Sequence, residues 1–183
     1  IPHYASLPPL DPYLDTLYAA LLGLRSGVTT TIHVAYPRAP HDPLVSHREA
    51  LRAHVDAGSR VAYVPNVQDR HGLVYSDTAG FLRQHAPESA GLFLPEPEDM
   101  ASHYNSMMRT LAAEVAGQDR IRLLAGPEGP EWCSPDLLAS IGPLMSELDI
   151  GLQTHVLESP VQRAFADAHF PEGAIAYLDA LGL

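Results

Sequence analysis

The stretch Leu21-Leu-Gly-Leu-Arg-Ser-Gly-Val-Thr-Thr-Thr-Ile-His-Val34 contains the structural step that decides the fold. Its first part ends a segment, residues 15–26, in which leucines recur at helical spacing, and Gly27 is the expected stop signal. The β-branched run from Val28 to Val34 is typical of a strand. The sequence therefore predicts a helix that leads directly into a strand.

The same helix-to-strand step recurs along the chain. Further strands are predicted at residues 60–64, 121–125 and 150–157, and further helices at 43–57, 77–85 with Ser76 as N-cap, 99–117, 134–148, 160–168 and 172–181. Four strands that alternate with helices, with no hairpin signal between them, predict an α/β fold built of parallel units. Two architectures fit: a complete open doubly wound sheet, or about half of an eight-stranded barrel.

Composition excludes several classes of protein. The 183 residues are 46% hydrophobic and 18% charged, which is typical of a globular chain. A formal net charge of −11 disfavours nucleic acid and anionic membrane surfaces as partners. All eleven basic residues are arginine, so the chain has no Schiff-base or phosphate-loop lysine. The single cysteine, Cys133, cannot form an internal disulfide, and we expect a cytoplasmic protein.

Ligands of parallel α/β sheets meet the carboxyl ends of the strands, which limits the candidate site residues. These positions hold His33 and Tyr36, residues 66–71, residues 128–132, and His155 with Glu158. No Gly-x-Gly-x-x-Gly motif follows any of the strands, so dinucleotide binding is disfavoured. The expected ligand is a small molecule.

His155 is the strongest candidate for a metal ligand. Period-two alternation in the fourth strand places Gly151, Gln153 and His155 on one face, and a neutral imidazole at a barrel mouth suits a divalent metal. Glu158 follows at a distance from which a carboxylate can act as a proton carrier. The same spacing is also typical of a hydrogen-bonded core histidine, so both interpretations stay open.

The other candidates have equally plain structural interpretations. Loop residues that could face a substrate are Asn66, Gln68, Arg70, Glu128 and Trp132. A solvated loop, or a tryptophan that caps the core, explains them as well. His33 is interpreted as a barrel-lining histidine held by neighbouring threonine hydroxyls, and Cys133 as a packing residue.

Five segments of the chain resemble one family in their order and spacing. They are Leu22-Gly-Leu-Arg-Ser-Gly-Val-Thr-Thr-Thr31, Gly58-Ser-Arg-Val-Ala-Tyr-Val64, Cys133-Ser-Pro-Asp-Leu-Leu138, His155-Val-Leu-Glu-Ser159 and Ala176-Tyr-Leu-Asp-Ala-Leu-Gly-Leu183. This ordered set is similar to the amidohydrolase superfamily. The likeness is strongest to the aminohydrolase and chlorohydrolase branch, which includes guanine and cytosine deaminases and triazine hydrolases.

The resemblance implies a partial (β/α)8 TIM barrel, about strands two to five with their helices. Residues 1–183 would then be an internal segment of one metal-dependent barrel domain, with its N-terminal and C-terminal parts absent. His155 would match the fifth-strand ligand of a divalent zinc or iron ion. Glu158 would carry protons between a metal-bound hydroxide and the substrate nitrogen. Gln153 stands where many relatives have a second histidine, and Gly126-Pro-Glu-Gly-Pro130 replaces a usual Pro-His-x-Pro phrase.

By the same resemblance, the parent protein is expected to be a hydrolase of non-peptide C–N bonds that deaminates an amino-substituted heterocycle. We expect a homo-oligomeric parent and an isolated segment without activity, because one imidazole cannot hold a catalytic metal that needs about three protein ligands. The alternative is a non-catalytic doubly wound α/β domain that binds a ligand or a protein. A barrel enzyme of another class, related to aldolases or enolases, is the third possibility.

Overall fold

The computed structural model describes residues 10–36, 42–70, 77–89 and 99–183. Ser76, His71 and most of the linker predicted at residues 87–97 lie outside these residues. The elements in chain order are α1 (Pro12–Arg25), β1 (Thr30–Ala35), α2 (Pro43–Ala57), β2 (Arg60–Val67), α3 (Thr78–His85), a 3-10 turn (Pro87–Ser89), α4 (Met100–Glu114), β3 (Ile121–Pro127), α5 (Pro135–Leu148), β4 (Gly151–Leu152), α6 (Pro160–His169) and α7 (Ala174–Ala180).

The strands form a parallel sheet whose spatial order follows the chain, β1-β2-β3-β4. Strands β1 and β2 pair in parallel from Thr30 opposite Arg60 to Ala35 opposite Pro65. A doubly wound sheet reverses its strand order at a switch point, whereas a (β/α) barrel adds each strand beside the last. The observed order is therefore that of a barrel, and the predicted α/β class is confirmed.

The chain divides into two compact units. The first comprises residues 1–66 and 106–126, and its core lies where α2 and the end of α4 pack on the strands. Tyr63, Val64, Ala53, Met108 and Leu111 are fully buried there. Burying an aromatic or aliphatic side chain of this size contributes roughly 1.5–3 kcal/mol, so this cluster stabilises the unit.

The second unit comprises residues 67–105 and 127–183. Its core is centred on α5, where Leu137, Leu138, Ile141 and Leu144 are buried at the i, i+1, i+4 and i+7 spacing of an amphipathic helix. Gly142 lies on the same helix, where an added Cβ would stand 2.8 Å from the carbonyl oxygen of Leu181. The glycine thus allows the end of the chain to lie directly against α5.

Capping side chains explain where the helices begin. Asp11, Asp42, Ser134 and Ser159 each accept a hydrogen bond from a backbone N–H in the first turn of α1, α2, α5 and α6, and each is followed by proline at the first helical position. Helix α3 is capped by Asp77, which accepts from the backbone N–H of Gly80. The described helices include none with the length and apolar character required to cross a bilayer.

The strand bounds differ from the predicted ones by one or two residues in β1 and β3, and by more in β2 and β4. Strand β2 continues past Pro65 to Val67, so Asn66 is a buried strand residue and the prediction that it lies in a loop was wrong. Proline lacks only the N–H donor and keeps its carbonyl acceptor, so it does not end a strand by itself. Strand β4 was predicted over residues 150–157 but covers Gly151–Leu152 alone. Beyond it, Leu157 adopts a φ of 57°, which turns the chain away.

His33 also has a different setting from the predicted one. Its Nδ1 lies 3.0 Å from Nε2 of His54, a residue of α2, and its ring makes an edge contact with Tyr63 at 5.1 Å between centroids. The imidazole therefore faces the helix layer of the first unit. The prediction that neighbouring threonine hydroxyls hold it was wrong, because period-two alternation alone does not reveal which face of a strand the helices cover.

Candidate active site

The candidate site lies in the second unit, where the segment after β3 meets the segment after β4. The backbone N–H of Glu128 donates to the carbonyl of Val67 at 2.9 Å, and the N–H of His155 donates to the carbonyl of Glu128 at 3.1 Å. These bonds join the chain just past the end of β3 to β2 on one side and to the segment after β4 on the other. They bring Glu128 and His155, both predicted as site residues, side by side.

The geometry around His155 determines which of its ring nitrogens carries the proton. Nδ1 lies 3.0 Å from the carbonyl oxygen of Glu128. A carbonyl oxygen can only accept, so Nδ1 carries the proton and Nε2 keeps its lone pair. Among the described residues no hydrogen bond involves Nε2, and the side chain is 32% exposed. A backbone carbonyl bound to one ring nitrogen, with no hydrogen bond at the other nitrogen, is the usual arrangement of a metal-binding histidine.

A divalent metal site requires several His, Cys, Asp or Glu side chains that converge on one point. In the part of the chain that the structure describes, no three His, Cys, Asp or Glu side chains converge to hold a metal ion. His155 fits as one ligand, and the Glu128 carboxylate lies 3.8 Å from its Nδ1. The described residues therefore include one imidazole with an unbonded ring nitrogen and no complete metal site.

The carboxylates of Glu128 and Glu158 are close enough to Glu131 to act on it electrostatically. Gln162 is buried on α6; its side-chain amide donates to the Glu131 carboxylate, and its amide oxygen accepts from the backbone N–H of Glu158. Burial raises the pKa of Glu131, and the charges of Glu128 and Glu158 raise it further, against hydrogen bonds from its own backbone N–H and the Trp132 side chain. One glutamine thus ties two of the acidic segments together.

Glu131 was weighed in the sequence but not singled out as a site residue. A glutamate between a proline and a tryptophan in a loop gives no sign of burial, and its partner Gln162 lies 31 positions away. The signal was Gln162 itself, a polar residue on the inward face of an amphipathic helix. Glu158, the predicted proton carrier, is exposed, and its backbone rather than its carboxylate makes the recorded bond.

The structure distributes the predicted substrate-facing residues unevenly. Trp132 is half-buried, and its carbonyl accepts from the backbone N–H of Arg70 at 2.9 Å, so those two segments lie together with Glu128. Gln68 follows β2 and is half-buried in the same unit. Asn66 belongs to the first unit and is buried in β2. The substrate-binding roles of all five residues stay predictions.

Gly129 allows the close approach of these segments. An added Cβ would lie 2.9 Å from the carbonyl oxygen of His155, 3.0 Å from Cδ1 of Trp132 and 3.2 Å from Oε1 of Glu131. Cβ atoms essentially never approach backbone oxygen below 3.0 Å, so any side chain here would displace the histidine. The glycine of the Gly-Pro-Glu-Gly-Pro segment therefore has a packing role that the sequence did not reveal.

Cys133 has the packing role expected of it. It is buried, and its thiol donates to the carbonyl of Val67 at 3.5 Å. Burial raises the pKa of the thiol to about 12, so the thiolate is scarce at neutral pH and the residue is not a nucleophile.

Arg70 also borders an aromatic part of the second unit. It lines a cavity of about 440 Å³ together with aromatic rings of α6, α7 and their connection. In that wall Phe165 stacks on His169 at 3.9 Å between centroids, and Phe170 stacks on Tyr177 at 4.7 Å. The arginine backbone is joined to Trp132, while its side chain contributes to this aromatic cavity.

Comparison with known proteins agrees with the predicted resemblance. No family model matches the chain. Two curated proteins, both called 5-methylthioadenosine/S-adenosylhomocysteine deaminase and from two strains of Desulfitobacterium hafniense, are each 25% identical to it over 173 residues. The match takes in 94% of this chain and 32% of each relative, so the chain spans about a third of the length of the curated relatives it matches.

Solved structures match the fold over the same share. A guanine deaminase from C. acetobutylicum with guanine bound has a TM-score of 0.68 at 14% identity, covering 92% of this chain and 34% of that one. An adenosine deaminase from Xanthomonas campestris with zinc bound has a TM-score of 0.67 at 16% identity, covering 100% and 34%. A triazine hydrolase from Arthobacter aurescens has a TM-score of 0.63 at 19% identity, covering 93% and 35%.

The resemblance to amidohydrolase-type deaminases is confirmed. The fold is that of a segment of their TIM barrel, about a third of a chain, as the strand order also requires. In such a barrel the ligands meet the carboxyl ends of the strands, which is the end where Glu128 and His155 lie together.

Proposed function

We propose that this chain is an internal segment of one metal-dependent barrel domain whose parent enzyme hydrolyses C–N bonds other than peptide bonds. The reaction would be the deamination of an amino-substituted heterocycle. The observation that carries the proposal is the Nδ1 contact of His155 with the Glu128 carbonyl, which leaves Nε2 available as a ligand. The sequence similarity to deaminases that act on adenosine derivatives supports the same chemistry.

Each residue has a distinct part in this proposal. His155 would provide one imidazole ligand to a divalent zinc or iron ion, and other barrel strands would provide the rest. The metal, when bound, activates water for attack on a ring carbon. Glu158 would transfer the proton to the leaving amine. The hydrogen bond from its backbone N–H to Gln162 would hold this segment in position. Because the residue is exposed, its carboxylate could still reach a substrate.

The substrate would be held by the segments that follow β2 and β3. Trp132 would stack on a planar ring, and Gln68, Arg70 and Glu128 of the same unit are the polar residues we propose for its ring atoms. Burial raises the pKa of the Glu131 carboxyl, so it retains a proton to higher pH than an exposed glutamate does. The cytoplasmic location and the homo-oligomeric state stay predictions.

Metal analysis of the protein at its natural length tests the metal role. We expect near-stoichiometric zinc or iron, lost in His155→Ala and retained in His103→Ala, a matched change of an exposed histidine on α4. Retention of the metal at full occupancy in His155→Ala would contradict the assignment.

Ammonia release tests the reaction. Adenosine, 5-methylthioadenosine and guanine are the first substrates to assay, because deaminases similar to this chain are named for them. We expect Glu158→Gln to lower kcat by 100-fold or more, about 10²–10⁴ being typical of a lost proton carrier, with the metal still bound. The isolated 183-residue chain should release no ammonia. Full activity of Glu158→Gln would exclude its proposed role.

A further inference from the structure

A cavity in the first unit has a polar lining that the proposed reaction does not use. Its volume is about 210 Å³, and its walls come from α1, β1, α2 and β2. The polar residues that line it are Asp15, Thr16, His33, Tyr36, Ser46, His47 and Tyr63. All of them belong to the same compact unit.

Two side chains of this lining are buried without a hydrogen-bond partner. His47 is 1% exposed and Ser46 is 6% exposed. Among the described residues, neither Nε2 of His47 nor Oγ of Ser46 has a partner. A buried polar atom left unpaired costs about 1–3 kcal/mol, so two in one cavity indicate a missing hydrogen-bonding group.

The partner of His47 determines what its free nitrogen offers. Nδ1 lies 2.8 Å from the hydroxyl of Tyr63, a fully buried residue whose pKa is raised by burial, so the hydroxyl keeps its proton. If Nδ1 donated to that hydroxyl, the tyrosine proton and the Nε2 lone pair would both be unpaired. If the hydroxyl donates to Nδ1, only the Nε2 proton lacks a partner. The second arrangement has fewer unpaired groups, so Nε2 presents an N–H donor.

The remaining polar groups set the charge of the cavity. Asp15 is exposed on α1 and is the carboxylate among the lining residues. Desolvation lowers the pKa of His33 and lowers that of His47 to about 4, so neither imidazole is a cation at neutral pH. The cavity therefore offers two neutral donors at its buried part, the His47 N–H and the Ser46 hydroxyl, and an acceptor at Asp15.

The size of the cavity limits the ligand. A volume of 210 Å³ equals about seven water molecules at roughly 30 Å³ each, below the 300–1,000 Å³ usual for drug-sized ligands. A single aromatic ring fits these limits. The rings of His33, Tyr36 and Tyr63 along the wall give it flat apolar surface.

We propose that this cavity binds a one-ring heterocycle that carries a carbonyl oxygen and an N–H group. The carbonyl oxygen accepts from Nε2 of His47 and from the Ser46 hydroxyl. The ring N–H donates to the Asp15 carboxylate. The site is built from the first unit alone, so it does not depend on the metal chemistry proposed for His155.

The test uses 2-pyridone and 4-pyridone, which place the carbonyl and the N–H at adjacent and opposite positions of one ring. Ligand-observed NMR titration of the natural-length protein should give saturable binding of at least one isomer, with a dissociation constant in the millimolar range expected for so few atoms. The matching N-methyl-pyridone lacks the N–H donor, so its affinity should be lower by about tenfold or more.

Variants locate the binding. Ser46→Ala removes a hydroxyl that has no partner among the described residues, so it should fold normally and weaken binding about three- to tenfold. Asp15→Asn should weaken it by a similar factor, and Asp119→Asn, an exposed acid of the same unit outside the cavity, should leave it unchanged.

Three results would overturn the proposal. One is the absence of saturable binding of both isomers, which would mean that the cavity is only hydrated. Another is binding that is unaffected by Ser46→Ala and Asp15→Asn. The third is binding that is lost in His155→Ala but unchanged in the cavity variants, which would place the ring at the candidate active site and leave the deaminase proposal intact.

Discussion

The carboxylate of Asp69 holds both polar groups of Ser134. Oδ1 accepts from the backbone N–H of Ser134 at 2.6 Å, and Oδ2 accepts from its hydroxyl at 2.5 Å. The same Ser134 oxygen accepts from the backbone N–H of Leu137 at 3.1 Å and so caps α5. One carboxylate thus fixes the start of a helix that lies 65 residues further along the chain.

Asp69→Asn should destabilise the protein by about 1.5–3 kcal/mol, the range for hydrogen bonds to a charged group. The amide is neutral and turns its NH₂ group toward the Ser134 hydroxyl, which must then accept instead of donate, so both charge-assisted bonds are weakened. Urea unfolding at pH 7 measures the effect. Asp167→Asn, which breaks the exposed ion pair with Arg163 on α6, is the matched control and should cost about 0.5 kcal/mol or less. Equal losses in the two variants would contradict the capping role.

This pair also marks a limit of what the sequence predicts. Ser134-Pro135 carries the local signals of a helix start, and α5 begins where those signals place it. The contact with Asp69 has no local signal, because it depends on how two distant loops pack. Asp69 therefore looked like any other residue of a polar loop.

The fold followed from patterns that repeat on the scale of a few residues. Helical spacing, β-branched runs and stop signals predicted α2 and α5 closely, and the order of the quoted motifs predicted the barrel segment. The length of strand β4 was overestimated. An apolar run identifies a buried segment, but it does not show whether a neighbouring backbone is in register to bond with it.

Only part of the candidate site could be predicted from the sequence. His155 and Glu128 could be placed together, because the carboxyl ends of parallel strands meet at one edge. The buried tie between Glu131 and Gln162, and the need for glycine at position 129, arise from side-chain packing. A single sequence carries no local signal for either.

Buried histidines make the stability of the first unit depend on pH. Burial lowers the pKa of His47 and of His54 to about 4, against about 6.5 in the unfolded chain. Between these values the unfolded state binds more protons, so stability falls as the pH falls from about 6.5 to about 4 and is constant above that range. The slope is at most about 1.4 kcal/mol per pH unit for each histidine.

Replacement of one histidine separates this effect from general acid unfolding. His54 bonds His33 through Nε2 and Ser59 through Nδ1, so His54→Gln should be less stable at pH 8 but should show a shallower loss between pH 6.5 and 4. His103→Gln changes an exposed histidine and should keep the original slope. Urea midpoints measured at each pH provide the comparison. An unchanged slope in His54→Gln would mean that this histidine does not titrate as described.

Gly129→Ala should disturb the candidate active site more than its size suggests. The new methyl group would meet the His155 carbonyl at 2.9 Å and the Trp132 ring at 3.0 Å, so the backbone must move. Overpacking of this kind costs about 1–3 kcal/mol. We also expect reduced metal content in the natural-length protein, because the Glu128 carbonyl that orients His155 is part of the displaced segment.

A glycine without such contacts is the control. An added Cβ at Gly23, within α1, meets Val28 at an ordinary 3.8 Å, and alanine favours a helix over glycine by up to about 1 kcal/mol. Gly23→Ala should therefore leave stability unchanged or raise it, with normal metal content. Thermal unfolding and metal analysis of both variants decide the matter: equal behaviour would mean that position 129 tolerates a side chain.

Cys133 should report the opening of the second unit. Because burial raises the pKa of its thiol to about 12 and shields the sulfur, iodoacetamide should leave it almost unmodified at pH 8 in the native protein. Mass spectrometry of the peptide that contains it measures the modification. In increasing urea the rate should rise with the unfolded fraction, since a thiol of ordinary pKa near 8.5 is then exposed. Rapid native labelling would show that the sulfur is reached without unfolding, and the packing role given to it here would be wrong.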